Sequence, residues 1–364
     1  MQKEEVIRKI AELAEKIYEN FDLGNPVIEF VIRGNIKTIE YDSNRDLIKL
    51  KKTVGRREFF NLGHVRKFTQ TILIASLAKE LVEKDKTASL REVYYQLKHT
   101  IPIINENTFE EQYESDAVIE DLERTLGLIR EQIHIKADRR GILYGDITLK
   151  DPKRGDEWNC SKLGTGGWSI PSKVEPEDIQ IVDINADYVL VIEKKALFDR
   201  LIEERFAEKN RALLIAAEGQ AGRGTRRLIH RLRYEHNLPI IVFTDGDPWG
   251  FYIYSVIKRG SMKLSHFSEQ LATPDAKFVG MTMDDVDDYD LWRVTMKLKP
   301  IDEKRVKELM NYPWFKNNQK WQEQFKKMLD WKIKIEQDAL ASKSLEFVAE
   351  KYLPEKIREQ DFLT

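Results

Sequence analysis

Between residues 188 and 259 the chain repeats one pairing three times: a short apolar run, then an amphipathic stretch. YVLVIE (188–193) precedes a helix-patterned segment at 195–208, ALLIAA (212–217) one at 225–236, and LPIIVFTD (238–245) one at 250–259. Strands apolar on both faces must be covered on both faces, and the helices between them supply the long crossovers that parallel strands need. The spacing therefore predicts a parallel α/β sheet within residues 178–364, ending in a helical region rich in Trp, Lys and Glu.

Acids stand at the ends of these strands. Glu193 closes the first, Asp245 closes the third, and Asp247 follows in FTDGDPWG. Parallel α/β sheets bind ligands outside the carboxyl ends of their strands. Three neighbouring carboxylates repel one another unless a hard cation joins them, and Mg²⁺ is commonly held by one or two carboxylates with phosphate and water. Gly246 is expected to let the backbone turn so that both aspartates face one point. The competing role is capping of the following helices. A Glu at one strand end with a DxD at another favours the metal.

Upstream, residues 3–20 are patterned as an amphipathic helix (Val6, Ile10, Leu13, Ile17), either core-packed or a docking arm. VIEFVIRG (27–34) and IKTIEYD (36–42) look like short strands. Helices are predicted at 67–84, at 89–99 behind a Ser89/Glu92 capping box, and at 115–130. Two strand-like runs flank ADRRG within 133–149. Three helices and a β-hairpin make a winged helix-turn-helix, a DNA-binding module. Residues 151–177, rich in Gly and Pro, read as a connecting loop.

The helix SLREVYYQLKHT (89–100) separates two adjacent tyrosines. At 100° per residue Leu90, Val93, Tyr94 and Leu97 share one face, and Arg91, Tyr95, Lys98 and His99 share another. Tyr95 then points outward among cations. A phenol with a pKa near 10 is a poor nucleophile unless nearby positive charge assists it. The helix alone fits a tyrosine at a DNA backbone at least as well as a catalytic one.

Composition sets the frame. With 364 residues the chain is long enough for two or three domains. A net charge of −2 means that any DNA surface is a local basic patch. Cys160 is the single cysteine, so no intrachain disulfide forms; it reads as structurally neutral, and a reducing compartment fits. The charged N-terminus carries no apolar targeting core, and no apolar run reaches about 18 residues, so a cytoplasmic protein without membrane spans is expected.

REVYY, VIE and TDGDPWG in this order resemble the A-subunit family of archaeal type IIB topoisomerases (topoisomerase VI), and more distantly the eukaryotic protein that makes meiotic double-strand breaks. The likeness spans about residues 60–364. It implies a winged-helix (CAP-like) domain over 67–150 followed by a Rossmann-like Toprim domain over 178–364. It implies Tyr95 as the nucleophile and Glu193, Asp245 and Asp247 as Mg²⁺ ligands. AEGQAGRGTRRLIHRL (217–232) looks like the archaeal form rather than the meiotic one, which carries a GYPD-type sequence there. The family implies a homodimer that cleaves duplex DNA through 5′-phosphotyrosyl links, each tyrosine served by the metal site of the other protomer.

The chain has no GxxxxGK[ST] motif. The family places ATP on a separate GHKL-type B subunit in an A2B2 assembly near the prokaryotic nucleoid, with residues 1–66 a candidate docking arm. GQAGRG (219–224) reads as a tight loop, after which Arg223, Arg226 and Arg227 are candidate phosphate contacts at a helix start. Three other readings stay open: a dedicated double-strand-break protein, a Toprim nuclease using activated water, and a DNA-binding protein without catalysis.

Overall fold

A computed structural model describes residues 3–102 and 105–363. The chain forms two compact units. The first comprises the chain up to Glu40, Lys49–Asp138 and Met262–Phe267; the second comprises Tyr41–Ile48, Arg139–Ser261 and the chain from Ser268 onward.

The first unit is mainly helical. Helix α1 (Lys3–Asp22) is followed by strand β1 (Val27–Val31), by the paired β2 (Ile39–Asp42) and β3 (Leu47–Leu50), whose residues Tyr41–Ile48 belong to the second unit, and by β4 (Val54–Glu58), antiparallel to β1. Then come α2 (Val65–Glu83), β5 (Ala88–Ser89), α3 (Leu90–Leu97), β6 (Thr100–Ile101), β7 (Glu106–Asn107) and α4 (Gln112–Leu126). Val6 and Ile10 of α1 lie buried in one core with Leu77 and Leu81 of α2, Val93 and Tyr94 of α3, and Ile119 and Leu122 of α4. The apolar stripe that suggested a docking arm is thus used internally. Helix α4 starts three residues earlier than expected and ends at Gly127, which takes the left-handed conformation (φ 62°) of a C-cap.

The expected hairpin at 133–149 does not form. β8 (Ile135–Lys136) pairs in parallel with β5, whereas β9 (Ile142–Tyr144) joins the sheet of the second unit. ADRRG is where the chain passes from one unit to the other. Gly145, at φ 134°, then splits the following run, sending β10 (Ile147–Lys150) into a separate three-stranded sheet. The hairpin of this first unit is instead β6–β7, between α3 and α4. The 151–177 segment is not a plain loop: it holds β11 (Glu157–Asn159) and β12 (Trp168–Ser169). Both are too short to carry an alternating pattern. β13 (Gln180–Ile184) completes the small sheet with β10 and β11.

The repeated pairing of the sequence appears as β14 (Tyr188–Ile192), α5 (Lys195–Glu203), α6 (Phe206–Lys209), β15 (Ala212–Ala216), α7 (Arg223–Tyr234), β16 (Ile240–Phe243), α8 (Pro248–Arg259) and β17 (Lys277–Gly280). The expected helix 195–208 is broken at Arg205, whose left-handed backbone (φ 55°) stops α5 and starts α6. The six-stranded sheet runs β12-β9-β15-β14-β16-β17; β14 to β17 are parallel and β9 is antiparallel to β15. The chain leaves β14 to one side for β15 and returns to the other side for β16, so the topological switch point lies between β14 and β16. Helices Pro300–Met310 and Gln319–Trp331 follow, with Trp321 and Phe325 packing edge-on against Phe251 of α8. Among the described residues no helix is long and apolar enough to cross a membrane.

Candidate active site

Ser89 and Glu92 cap α3 reciprocally, as the sequence predicts. Tyr94 is 7% exposed and Tyr95 is 60% exposed. The inward and outward assignment of the two rings therefore holds. Tyr94 donates from its hydroxyl to the Glu110 carbonyl (2.7 Å), and its ring lies 5.1 Å from that of Tyr95. Tyr95 borders a groove of about 720 Å³ shared with Arg91, Gln96, Lys84 and Lys86.

The expected cluster of cations around Tyr95 is only partly present. Arg91 stays beside it, its guanidinium 5.7 Å from the ring centre. Lys98 instead donates to the Tyr94 hydroxyl (2.7 Å) and the Glu110 carbonyl (3.0 Å). The cause is local. Helix α3 stops at Leu97, and Thr108 donates to the Leu97 carbonyl (2.6 Å) and accepts from the His99 N–H (3.0 Å). Lys98 is extended, so a helical wheel no longer places Lys98 or His99. The His99 ring lies 3.1 Å from the Leu97 carbonyl.

In the second unit Glu193 follows β14, and Asp245 and Asp247 follow β16, the two strands that flank the switch point. The Glu193 N–H donates to the Phe243 carbonyl (3.0 Å), and the Asp245 N–H donates to the Glu193 carboxylate (3.0 Å). Asp245 accepts the Gln337 N–H on one oxygen (2.8 Å) and faces the Lys194 ammonium at 3.2 Å with the other. Asp247 caps α8, accepting from the N–H groups of Trp249 (3.0 Å) and Gly250 (2.7 Å) on Oδ1, while its Oδ2 is 3.8 Å from Lys334. Capping thus uses one oxygen of this carboxylate and leaves the other to face a cation. Burial, reinforced by the Asp245 charge, pushes the Glu193 carboxyl up to about 7; burial pushes Asp245 up to about 6 and also raises Asp247.

Gly246 serves a purpose other than a tight turn. It forms an antiparallel bridge with Ile335 (N–H to carbonyl 2.8 and 3.1 Å), and a Cβ there would lie 2.6 Å from the Ile335 side chain. Gly250 is needed because a Cβ would fall 2.2 Å from the Asp245 carbonyl oxygen, which α8 approaches as it begins.

The sequence reading missed Lys194, Lys334, Glu336 and Asp338. Lys194 bridges Asp245 to Glu336 (2.5 Å) and Asp338 (2.7 Å). Its place directly after Glu193 was the available signal; the acids, far along the chain, carried none. Among the described residues no three His, Cys, Asp or Glu side chains form a ready-made metal cage. The donor set still suits a hard cation: buried carboxylate oxygens, raised in pKa by burial and mutual repulsion, with two lysines as the present counter-charges. Of the candidate phosphate contacts, Arg227 is committed to Glu175 through two 2.8 Å bonds, whereas Arg226 is buried.

Three family profiles match in succession. One for type IIB DNA topoisomerases covers residues 66–135, one for the all-β domain of the DNA topoisomerase VI alpha subunit covers 140–185, and one for the Toprim domain shared by topoisomerase 6 A subunits and Spo11 covers 188–357. The all-β profile falls on the strands that replace the expected connecting loop. Proteins named as the A subunit of type 2 DNA topoisomerase 6 are similar along nearly the whole chain. The one from Pyrococcus abyssi is 56% identical over 99% of this chain and 96% of its own length. The one from Pyrococcus horikoshii is 55% identical over the same shares, and the one from Hyperthermus butylicus 40% identical over 98% and 94%. Three profiles of one family in succession, with relatives similar along nearly the whole chain, decide the assignment: this chain belongs to the family of topoisomerase 6 A subunits.

Proposed function

We propose that this chain is the DNA-binding and DNA-cleaving subunit of an ATP-dependent type IIB topoisomerase, with Tyr95 as its nucleophile. The observation that carries this is the opposite fate of two neighbouring tyrosines: Tyr94 is fixed in the core and Tyr95 stands 60% exposed beside Arg91. The Tyr95 oxygen attacks a backbone phosphorus, a 5′-phosphotyrosyl bond forms, and the 3′-oxygen leaves. Reversal reseals the strand, because the phosphodiester energy is kept in the covalent link. Arg91 offsets negative charge on the phosphate and on the phenolic oxygen as its proton leaves.

Glu193, Asp245 and Asp247 would hold Mg²⁺, which supplies Lewis-acid charge to phosphate oxygens when bound. The tyrosine and the acids belong to different units of the chain, and the acids serving one tyrosine come from a second copy in a homodimer. The trihelical core of α2, α3 and α4 acts as a winged-helix module on duplex DNA. Nucleotide binding falls to a GHKL-type ATPase B subunit in an A2B2 assembly, at the nucleoid of a prokaryotic cytoplasm. Tyr18 and Phe21 of α1, 68% and 53% exposed, leave that helix an apolar surface for this partner.

The test is to incubate the chain with its ATPase partner, supercoiled plasmid, Mg²⁺ and ATP, and then to denature with detergent. Linear DNA bearing protein on its 5′ ends is expected. Free 5′ ends would sink the tyrosine mechanism.

A further inference from the structure

Helix α7 begins with an unmet electrostatic demand. Its N-cap, Gly222, offers no side chain to the N–H groups of the first turn, and twelve residues of helix follow. Arg226, on that first turn, is 4% exposed, yet its Nε and Nη1 are buried without a hydrogen-bond partner. A guanidinium stays charged, so leaving it buried and unpaired is costly. Its electrostatic neighbours are Arg223, a like charge, and Tyr252 of α8. Burial and Arg223 together lower its pKa to about 10.

The same helix shows how this fold treats an arginine kept for structure. Arg231 is equally buried at 2% exposure, and it donates to the Val174 carbonyl (2.5 Å), the Ile179 carbonyl (2.8 Å) and Glu235 (2.8 Å). Arg227 is paired twice with Glu175. Arg226 departs from this pattern.

Long helical side chains lean toward the helix N-terminus, which directs Arg226 along the first turn to the 219–222 loop. In that loop the Gln220 Nε2 is also buried without a partner. The loop is fixed to the acid site, since the Gly219 N–H donates to the Glu193 carbonyl (3.0 Å). Arg140 braces it from behind by donating to the Glu218 carbonyl (3.1 Å). Gly224 allows the Pro171 backbone to close on the same turn, where a Cβ would meet its carbonyl oxygen at 2.1 Å. The result is a braced group of buried donors, Arg226 Nε and Nη1 and Gln220 Nε2, without an acceptor among the described residues, on a loop tied to the Glu193 backbone.

We propose that the start of α7, with Arg226 and Gln220, is a seat for a phosphate of the DNA backbone beside the one under attack, and that Arg226 is kept unpaired in the free protein to receive it. This rests on the reading of the chain as a DNA-cleaving subunit. The seat reads no base; it fixes the strand's register against Glu193.

The experiment uses the full chain and two variants, Arg226→Met and Arg226→Lys. Thermal unfolding is followed with and without inorganic phosphate, and affinity for a short duplex is measured across salt concentrations. The Met variant is expected to unfold no lower than wild type without phosphate, to lose the phosphate-induced rise, and to bind duplex about tenfold more weakly, with a salt slope reduced by about one. The Lys variant keeps the charge and loses the fork, so it should bind duplex a few-fold more weakly. A Met variant that unfolds lower, or does not fold, while the Lys variant binds phosphate and duplex as wild type does, overturns the proposal. Neither readout needs cleavage. Unaltered variants beside Tyr95-dependent cleavage would remove the phosphate seat alone, whereas an Arg226 defect in a chain that cuts without Tyr95 would remove the cleavage reading alone.

Discussion

The two halves of the proposed chemistry are built in opposite ways. Tyr95 rides on an eight-residue helix, 60% exposed, with one cation beside it. The acids sit at the carboxyl ends of the central strands of a buried sheet, each held through one oxygen by a backbone N–H, with lysines facing Asp245 and Asp247. A nucleophile must reach a long polymer, so it is presented. A metal site must hold charges that repel, so it is enclosed and braced. The first half depends on side-chain identity, and the second on backbone geometry.

The largest expected effect tests that contrast directly. Tyr95→Phe should lower covalent cleavage by about a thousandfold or more, with the fold intact by circular dichroism, because the lost hydroxyl is exposed. Tyr94→Phe should leave cleavage near wild type and cost about 1 kcal/mol of stability, from the bond to Glu110. Strong cleavage by the Tyr95→Phe variant in the trapped-complex assay would end the assignment.

Gly250→Ala should act from the other side. Its methyl group would press on the Asp245 carbonyl at 2.2 Å, so about 1–3 kcal/mol of stability and Mg²⁺ binding should fall together. Denaturant unfolding and calorimetric titration read the two losses. Normal Mg²⁺ binding by this variant would mean that the acids do not depend on their backbone frame.

An effect of similar size concerns pH. Glu193 and Asp245 titrate higher in the fold, about 7 and about 6, than the ordinary carboxyl value near 4. Their contribution to stability is therefore fully present below about pH 4 and lost as pH rises through 6 to 7. In EDTA, Glu193→Gln should remove its share of that loss and be more stable than wild type at pH 8 by about 1–3 kcal/mol, while failing to gain stability from Mg²⁺. A variant that is destabilised at pH 8 would overturn the burial argument. The smallest effect is expected from the cations of α3: Arg91→Ala should slow cleavage about threefold to tenfold, and Lys98→Ala less, since Lys98 is turned to Tyr94.

The sequence showed what rests on repetition and spacing. Three apolar runs sufficed for the parallel strands β14, β15 and β16, and their spacing placed Glu193 and Asp245 at the strand ends. The helix wheel separated Tyr94 from Tyr95. It failed at Lys98, because Thr108, from a loop further on, ends the helix. It could not find Glu336 or Asp338, which reach Lys194 through tertiary folding alone. ILYGDITL looked like one wing strand, yet Gly145 divides it between two sheets, and strands such as β12 are too short to leave a period in the sequence.

The bridge between Gly246 and Ile335, with the Gln337 N–H on Asp245, also orders events in time. During synthesis the DxD segment emerges long before its backbone partners do. A nascent chain that has not reached Gln337 can cap α8 with Asp247 but lacks the bridge to Gly246 and the N–H that fixes Asp245. The frame around Asp245 is therefore completed only after Gln337 has been made, about ninety residues after the aspartate it holds.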